Sequence, residues 1–199
     1  METDRGQADP RVAETLGGYW RGEISEHQML GVLRDARVLV PIVAVAADGE
    51  SEKQTDMAMP KLVGKDGRAA MMAYTSLDAM RLWDATARPV PMPLSRACQA
   101  ALAENCALVI DVGGPVQVDL EGPRLAAIAS GEPVPLPHED PEIIRIVAAI
   151  APGATLRAAD DGGLVVEIAA TNYEEASRTG QQIVAALGHR LRRVDVQVR

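Results

Sequence analysis

The chain has 199 residues, with 20 basic and 28 acidic side chains, 47% hydrophobic residues and 24% charged ones. That is the balance of a folded globular chain of one domain or two small ones, not of a disordered or fibrous one. The net charge of −8 works against any broad grip on nucleic acid or anionic lipid, because both need surplus Lys and Arg.

Residues 1–22 are polar and carry Gly6, Gly17, Gly18 and Gly22 without a sustained period, so they read as a flexible tail with room for a short helix near Val12 to Leu16. Ser25 followed by Gln28 is a capping-box pattern, opening a helix with Met29, Leu30 and Leu33 on one face. The β-branched run from Arg37 to Val45 reads as a buried strand in which Pro41 implies an edge position or a bulge. Lys53 to Val63 reads as a second strand, and the Asp66-Gly67 pair turns it into Arg68 to Tyr74 as a hairpin. Thr75 with Asp78 reads as the cap of a short helix presenting Leu77, Met80 and Trp83. Pro89, Pro91 and Pro93 then force an extended crossing.

Ser95 reads as the cap of a helix whose Leu94, Ala97, Cys98, Ala101 and Leu102 follow helical core spacing. Ala107 to Val112 reads as an apolar strand, Val116 to Leu120 alternates, and Pro123 opens a helix that Gly131 closes. Residues 132–140 are rich in proline and read as a linker. Beyond it, Asp140 and Pro141 start a helix, two strands flank Asp160-Asp-Gly-Gly163, Asn172 caps a second helix that Gly188 ends, and Val194, Val196 and Val198 form one face of a last strand. The fold class is α+β: a domain over 23–131 with a mixed β-sheet and flanking helices, and a smaller αββαβ domain over 141–199. Residues 141–199 hold 7 basic and 7 acidic side chains, so the 13 basic and 21 acidic residues before them carry the whole excess, 13 − 21 = −8.

The runs Ala36 to Val43, Met57-Ala-Met-Pro-Lys-Leu62 and Ala73-Tyr-Thr-Ser-Leu77 leading to Trp83, with Ala107-Leu-Val-Ile-Asp111 and Gly114-Pro-Val116, follow one another in a distinctive order. In this order they resemble the amino-terminal domain of the SseB family over about residues 28–131, and the segment after Pro141 looks like that family's smaller carboxy-terminal part. The family, named for enhanced serine sensitivity, has no settled biochemical activity and no catalytic signature. The resemblance therefore implies a fold rather than a reaction.

Candidate chemistry is sparse. Gly64-Lys65 is followed by Asp66, and position 59 is Met, so a phosphate-binding loop fails at both ends. Gly113-Gly114 and Gly162-Gly163 lack the spaced glycines of a dinucleotide site and sit at turns. The nearest metal-type cluster, His138-Glu-Asp140, reads as a helix cap with solvated charges, and Cys98 and Cys106 read as free thiols outside any zinc spacing. No metal and no cofactor is expected. Asp56, Asp84 and Asp111 stand near element ends where a cleft with paired carboxylates could form.

Arg190, Arg192 and Arg193 beside Asp195 are the one basic concentration, read as a helix-end cluster or a partner-binding surface. Pro41, Gly67 and Trp83 are read as structural. The start METDRGQADPRVAETLGG has neither a basic opening nor an apolar core, and the longest apolar run, Val38 to Ala47, spans ten residues, too few for a bilayer. The expectation is a non-catalytic cytoplasmic protein that acts as a protein-interaction or regulatory module, with an unknown protein partner and a possible homodimer. The alternatives are a small-metabolite (amino-acid) sensing domain, suggested by the αββαβ order, and an enzyme with an unrecognised acid/base site.

Overall fold

The apolar run that opens at Arg37 becomes the strand β1 (Arg37–Ala46) in a computed structural model that describes residues 6–46, 55–64, 67–188, 190–191 and 193–199. The chain is α+β and divides into two units, Met1–Glu14 with Leu33–Pro133 and Thr15–Val32 with Val134–Arg199. The second division falls within the proline-rich stretch. The first differs from a flexible tail over 1–22 and a domain starting at residue 23, because residues 10–20 fold as the helix α1 (Pro10–Trp20), which buries Val12, Leu16 and Tyr19. Nor is 132–140 a free linker: Val134 and Asp140 are buried, and Pro137–Glu139 forms a 3-10 turn.

In the first unit β1 pairs antiparallel with β2 (Thr55–Ala58) over its second half and with β5 (Arg88–Pro93) over its first. Strand β5 is where the sequence suggested only an extended crossing. Its prolines fit because they alternate. Leu39 donates its N–H to the Tyr74 carbonyl at 2.7 Å, so Leu39 and, by alternation, Pro41 turn their nitrogens away from β5. Pro89 and Pro91 stand opposite Pro41 and Leu39, and their nitrogens point away from β1. No ladder donor is lost.

A second, mixed sheet runs in the order β3 (Lys61–Val63), β4 (Ala69–Ala73), β6 (Ala107–Ile110) and β7 (Val118–Leu120). The hairpin read at Gly67 joins β3 to β4, with Gly67 at φ 79°. Between parallel β4 and β6 lie α3 (Leu77–Trp83), β5 and α4 (Leu94–Ala103). Leu94, Ala97, Cys98 and Ala101 of α4 are buried, whereas Leu102, expected on the same stripe, is 45% exposed. Ser95 caps nothing: Pro93 precedes the helix without a side-chain cap. The helix α5 (Gly122–Ser130) ends on Gly131 at φ 76°, a left-handed cap that glycine accepts without a Cβ clash.

The second unit is a three-stranded sheet in the order β10 (Val194–Val198), β9 (Leu164–Ile168), β8 (Thr155–Ala158). The helices α6 (Pro141–Ile150) and α7 (Tyr173–Leu187) contribute Ile143, Val147, Ile183 and Leu187 to a core with Leu164, Val166 and Ile168. The Asp140 side chain accepts the Glu142 N–H, and that of Asn172 accepts the Glu175 N–H, as the caps read from the sequence require. The helix α2 (Glu26–Leu33) opens on the expected box: Gln28 N–H donates to Ser25 Oγ, and Ser25 N–H to Gln28 Oε1. The same Ser25 hydroxyl donates to the Asp161 carbonyl at 2.6 Å, and the Tyr19 hydroxyl donates to the Arg190 carbonyl. These two bonds tie residues 15–32 to the carboxy-terminal elements.

Trp83 packs on Tyr74 with ring centroids 6.1 Å apart and planes 26° from parallel, against the cluster of Leu39, Met72 and Met80. It is half-buried rather than enclosed, so Trp83→Ala is expected to lower stability in urea denaturation by about 2 kcal/mol, short of the roughly 3–5 kcal/mol of a fully buried aromatic.

Candidate functional site

Parallel pairing of β4 with β6 brings their carboxyl ends side by side, the usual place for a ligand in open α/β sheets. Here the residues that follow the strands close on each other. Asp111 donates its N–H to the Ala73 carbonyl at 2.9 Å. Its carboxylate accepts the Thr75 N–H at 2.8 Å on one oxygen and the Thr75 hydroxyl at 2.7 Å on the other. Asp111 is 7% exposed and holds φ at 54°, a left-handed conformation that aspartate tolerates better than most side chains. Burial pushes its carboxyl above the usual range, and the two bonds from Thr75 oppose that push.

Thr75 was expected as the cap of α3; Ser76 is the cap, accepting the Ala79 N–H at 3.0 Å. The tandem of hydroxyls hid this division of labour. Tyr74 is wholly buried, its phenol raised above its ordinary range by burial and by the charges of Asp111 and Asp84. Asp84 accepts the N–H and hydroxyl of Thr86, each at 2.7 Å. Asp84 and Asp111 are therefore each held by local donors, and the Asp56 side chain lies outside the described residues. Cys98 is buried, its thiol pushed up to about 12 by burial. Among the described residues no three His, Cys, Asp or Glu side chains stand close enough to share a metal ion. No helix among them is long and apolar enough to cross a membrane.

The basic concentration separates into unlike parts. The Arg190 side chain is 2% exposed and pairs with Glu142 at 2.5 Å and Asp140 at 3.8 Å, so it belongs to the interior and not to a partner surface. The cause is the start of α6, where the nearly inaccessible Asp140 carboxylate needs a cation. Arg192 lies outside the described residues. Arg193 remains at the surface, pairing with Asp161 at 2.6 Å and Asp195 at 3.8 Å. The Gly163 N–H and Arg193 hold the Asp161 carboxyl below the usual range.

The sequence points to the last strand, with its apolar Val194, Val196 and Val198, but not to the face of α7 that lies beside it. Tyr173, Ser177, Gly180 and Val184 recur at steps of four, three and four along α7 and, with Val196 and Val198, line an open groove of about 560 Å³. Among the described residues no charged one lines it. Tyr173 is 87% exposed, Val198 57% and Val184 46%. The signal was a second helical stripe, disguised because its middle consists of Ser and Gly. A depression of about 580 Å³ in the first unit is rimmed by the Arg68–Glu121 ion pair and by Gly67, Asn105 and Cys106.

The model of the SseB protein N-terminal domain matches residues 16–127, more than half of the 199-residue chain. No curated protein and no solved structure matches.

Two variants test these assignments. Asp111→Asn keeps an acceptor for the Thr75 N–H and a donor for its hydroxyl, whereas Asp111→Ala strands both buried donors of Thr75 and is expected to cost about 2–3 kcal/mol in denaturant titration at pH 7. A carboxyl whose folded pKa lies above its unfolded one loses stability as pH rises between the two. The wild type should therefore lose stability across that window relative to Asp111→Asn. Arg190→Ala leaves Asp140 uncompensated and is expected to cost about 3–5 kcal/mol by the same titration.

Proposed function

The chain belongs to the SseB family, and from that premise we propose that it is a non-catalytic cytoplasmic protein-interaction module whose contact surface is the face formed by α7 and β10. The observation that carries this reading is the groove, lined among the described residues by no charged side chain, with Tyr173, Val184 and Val198 standing out of it beside a strand that the described residues pair on one side only. Aromatic and aliphatic side chains exposed together around a groove favour macromolecular contact over small-ligand capture, which needs an enclosed site with convergent polar groups. Acid/base work would need a carboxylate free to meet a substrate, and both oxygens of Asp111 are taken by Thr75.

A photo-crosslinking residue placed at Val184 in the cell is expected to yield a discrete, recurring protein adduct, with no such adduct from the exposed Gln117 of the first unit. Failure of Val184 to give an adduct, or equal adducts from both positions, overturns the assignment of the face. A single amino acid that stabilises the protein by about 2.7 kcal/mol, the increment for a ligand at a hundred times its Kd, would favour metabolite sensing instead.

A further inference from the structure

We propose that the occupant of the α7–β10 face is a second copy of this chain, joined by antiparallel pairing of β10 with β10 about a two-fold axis through Gln197. The proposal rests on the reading of that face as the contact surface and names its partner. Strand β10 ends its sheet, running parallel to β9. The Arg199 N–H donates to the Ile168 carbonyl at 3.1 Å, so Arg199, Gln197 and Asp195 turn their backbone groups toward β9. By alternation Val194, Val196 and Val198 turn theirs outward. An edge of this kind is a template for another strand. It contrasts with β5, whose outward positions are filled by Pro89, Pro91 and Pro93 and offer no donor.

The side chains choose the partner and the register. The inward and outward sets must stay on their own faces, so only pairings about a residue are allowed, not pairings about a peptide bond. Centring on Asp195 sets two aspartates opposite each other, centring on Val196 sets Arg193 opposite Arg199, and centring on Val194 faces Arg193 with Asp195 but sets the rest of β10 opposite residues that precede the strand. Centring on Gln197 sets Asp195 opposite the Arg199 of the other copy, twice, at non-hydrogen-bonded sites where side chains approach most closely. Val196 and Val198 then exchange their outward N–H and C=O groups with Val198 and Val196 of the other copy, and the Val198 side chains turn into the shared groove. Arg199, which in the single chain crosses to the Gly153 carbonyl at 2.8 Å, swings to meet the opposite carboxylate. Self-association also fits the charges: among the described residues no charged one lines the groove, and the excess negative charge lies before residue 141.

Sedimentation equilibrium of the full chain is expected to approach about 42 kDa, twice 21.1 kDa, between about 1 and 200 µM. Asp195→Lys and Arg199→Glu should each raise the dimer Kd at least tenfold, and their combination should bring it back to within about threefold of the wild type. Val198→Pro, which removes only an outward donor, should abolish the dimer. As a readout independent of strength, Gln197→Cys is expected to form a reducible dimer on mild oxidation and Asp195→Cys to form none. A wild type that stays monomeric throughout overturns the proposal, as does a dimer that Val198→Pro leaves intact or one in which Asp195→Cys cross-links and Gln197→Cys does not. If the wild type is monomeric while Val184 still cross-links a different protein, the second copy is excluded and the contact face stands; if neither occurs, both readings fall.

Discussion

An unpaired backbone N–H at the edge of a sheet must be hydrated, removed or bonded to another chain, and this chain deals with its edges in opposite ways. In β5 every second residue over its last five is proline, and the register with β1 puts those prolines where a donor would face outward. The alternation that makes the segment a poor strand by propensity makes it a good terminal strand. Strand β10 has the same length of exposed edge but valine at the outward positions, where hydrogen-bonding groups persist and the side chains are apolar. Edge strands that are only tolerated carry lysine, proline or a bulge. None of these stands between Val194 and Val198.

A second constraint holds the first unit together at the ends of β4 and β6. These strands are joined through a long crossover, and nothing in a parallel ladder fixes where each must leave the sheet. The Asp111 carboxylate does, by accepting two hydrogen bonds from Thr75 and keeping its own backbone in a left-handed turn. A buried carboxylate is costly unless its oxygens are engaged. The place where open sheets ordinarily bind ligands is therefore filled by the chain's own side chains.

Much of the fold was legible because local chemistry settled it. The β3–β4 hairpin with Gly67 in its turn, the Asp140 and Asn172 caps, the glycine after α5 and the αββαβ order of the last sixty or so residues are each specified within a few positions. What was not legible depends on residues distant in sequence. Leu102 obeys the helical spacing of α4 yet stays half-exposed, and Thr75 and Ser76 are indistinguishable as caps until Asp111 is brought beside one of them. Residues 15–32 join the carboxy-terminal unit through bonds from Tyr19 and Ser25 to Arg190 and Asp161, across more than a hundred positions. Arg190 and Arg193 are three apart in one basic cluster; only the fold reveals that the first serves Asp140 and Glu142 inside while the second stays at the surface.

The electrostatics bear on why the open edge sits where it does. A chain with a net charge of −8 resists approach of its own copy, and at physiological ionic strength that repulsion acts over about 8 Å. Association through a surface in the first 140 residues would press the excess acid of both copies together. The segment from residue 141 onward is balanced at 7 and 7, and within it β10 alternates Arg193, Asp195, Gln197 and Arg199 on its polar face. Such a strand meets its own reverse with opposite charges facing when it is centred on Gln197 and like charges facing when it is centred on Asp195 or Val196, so one strand supplies both attraction and discrimination for a self-complementary contact. A strand of one sign could offer neither.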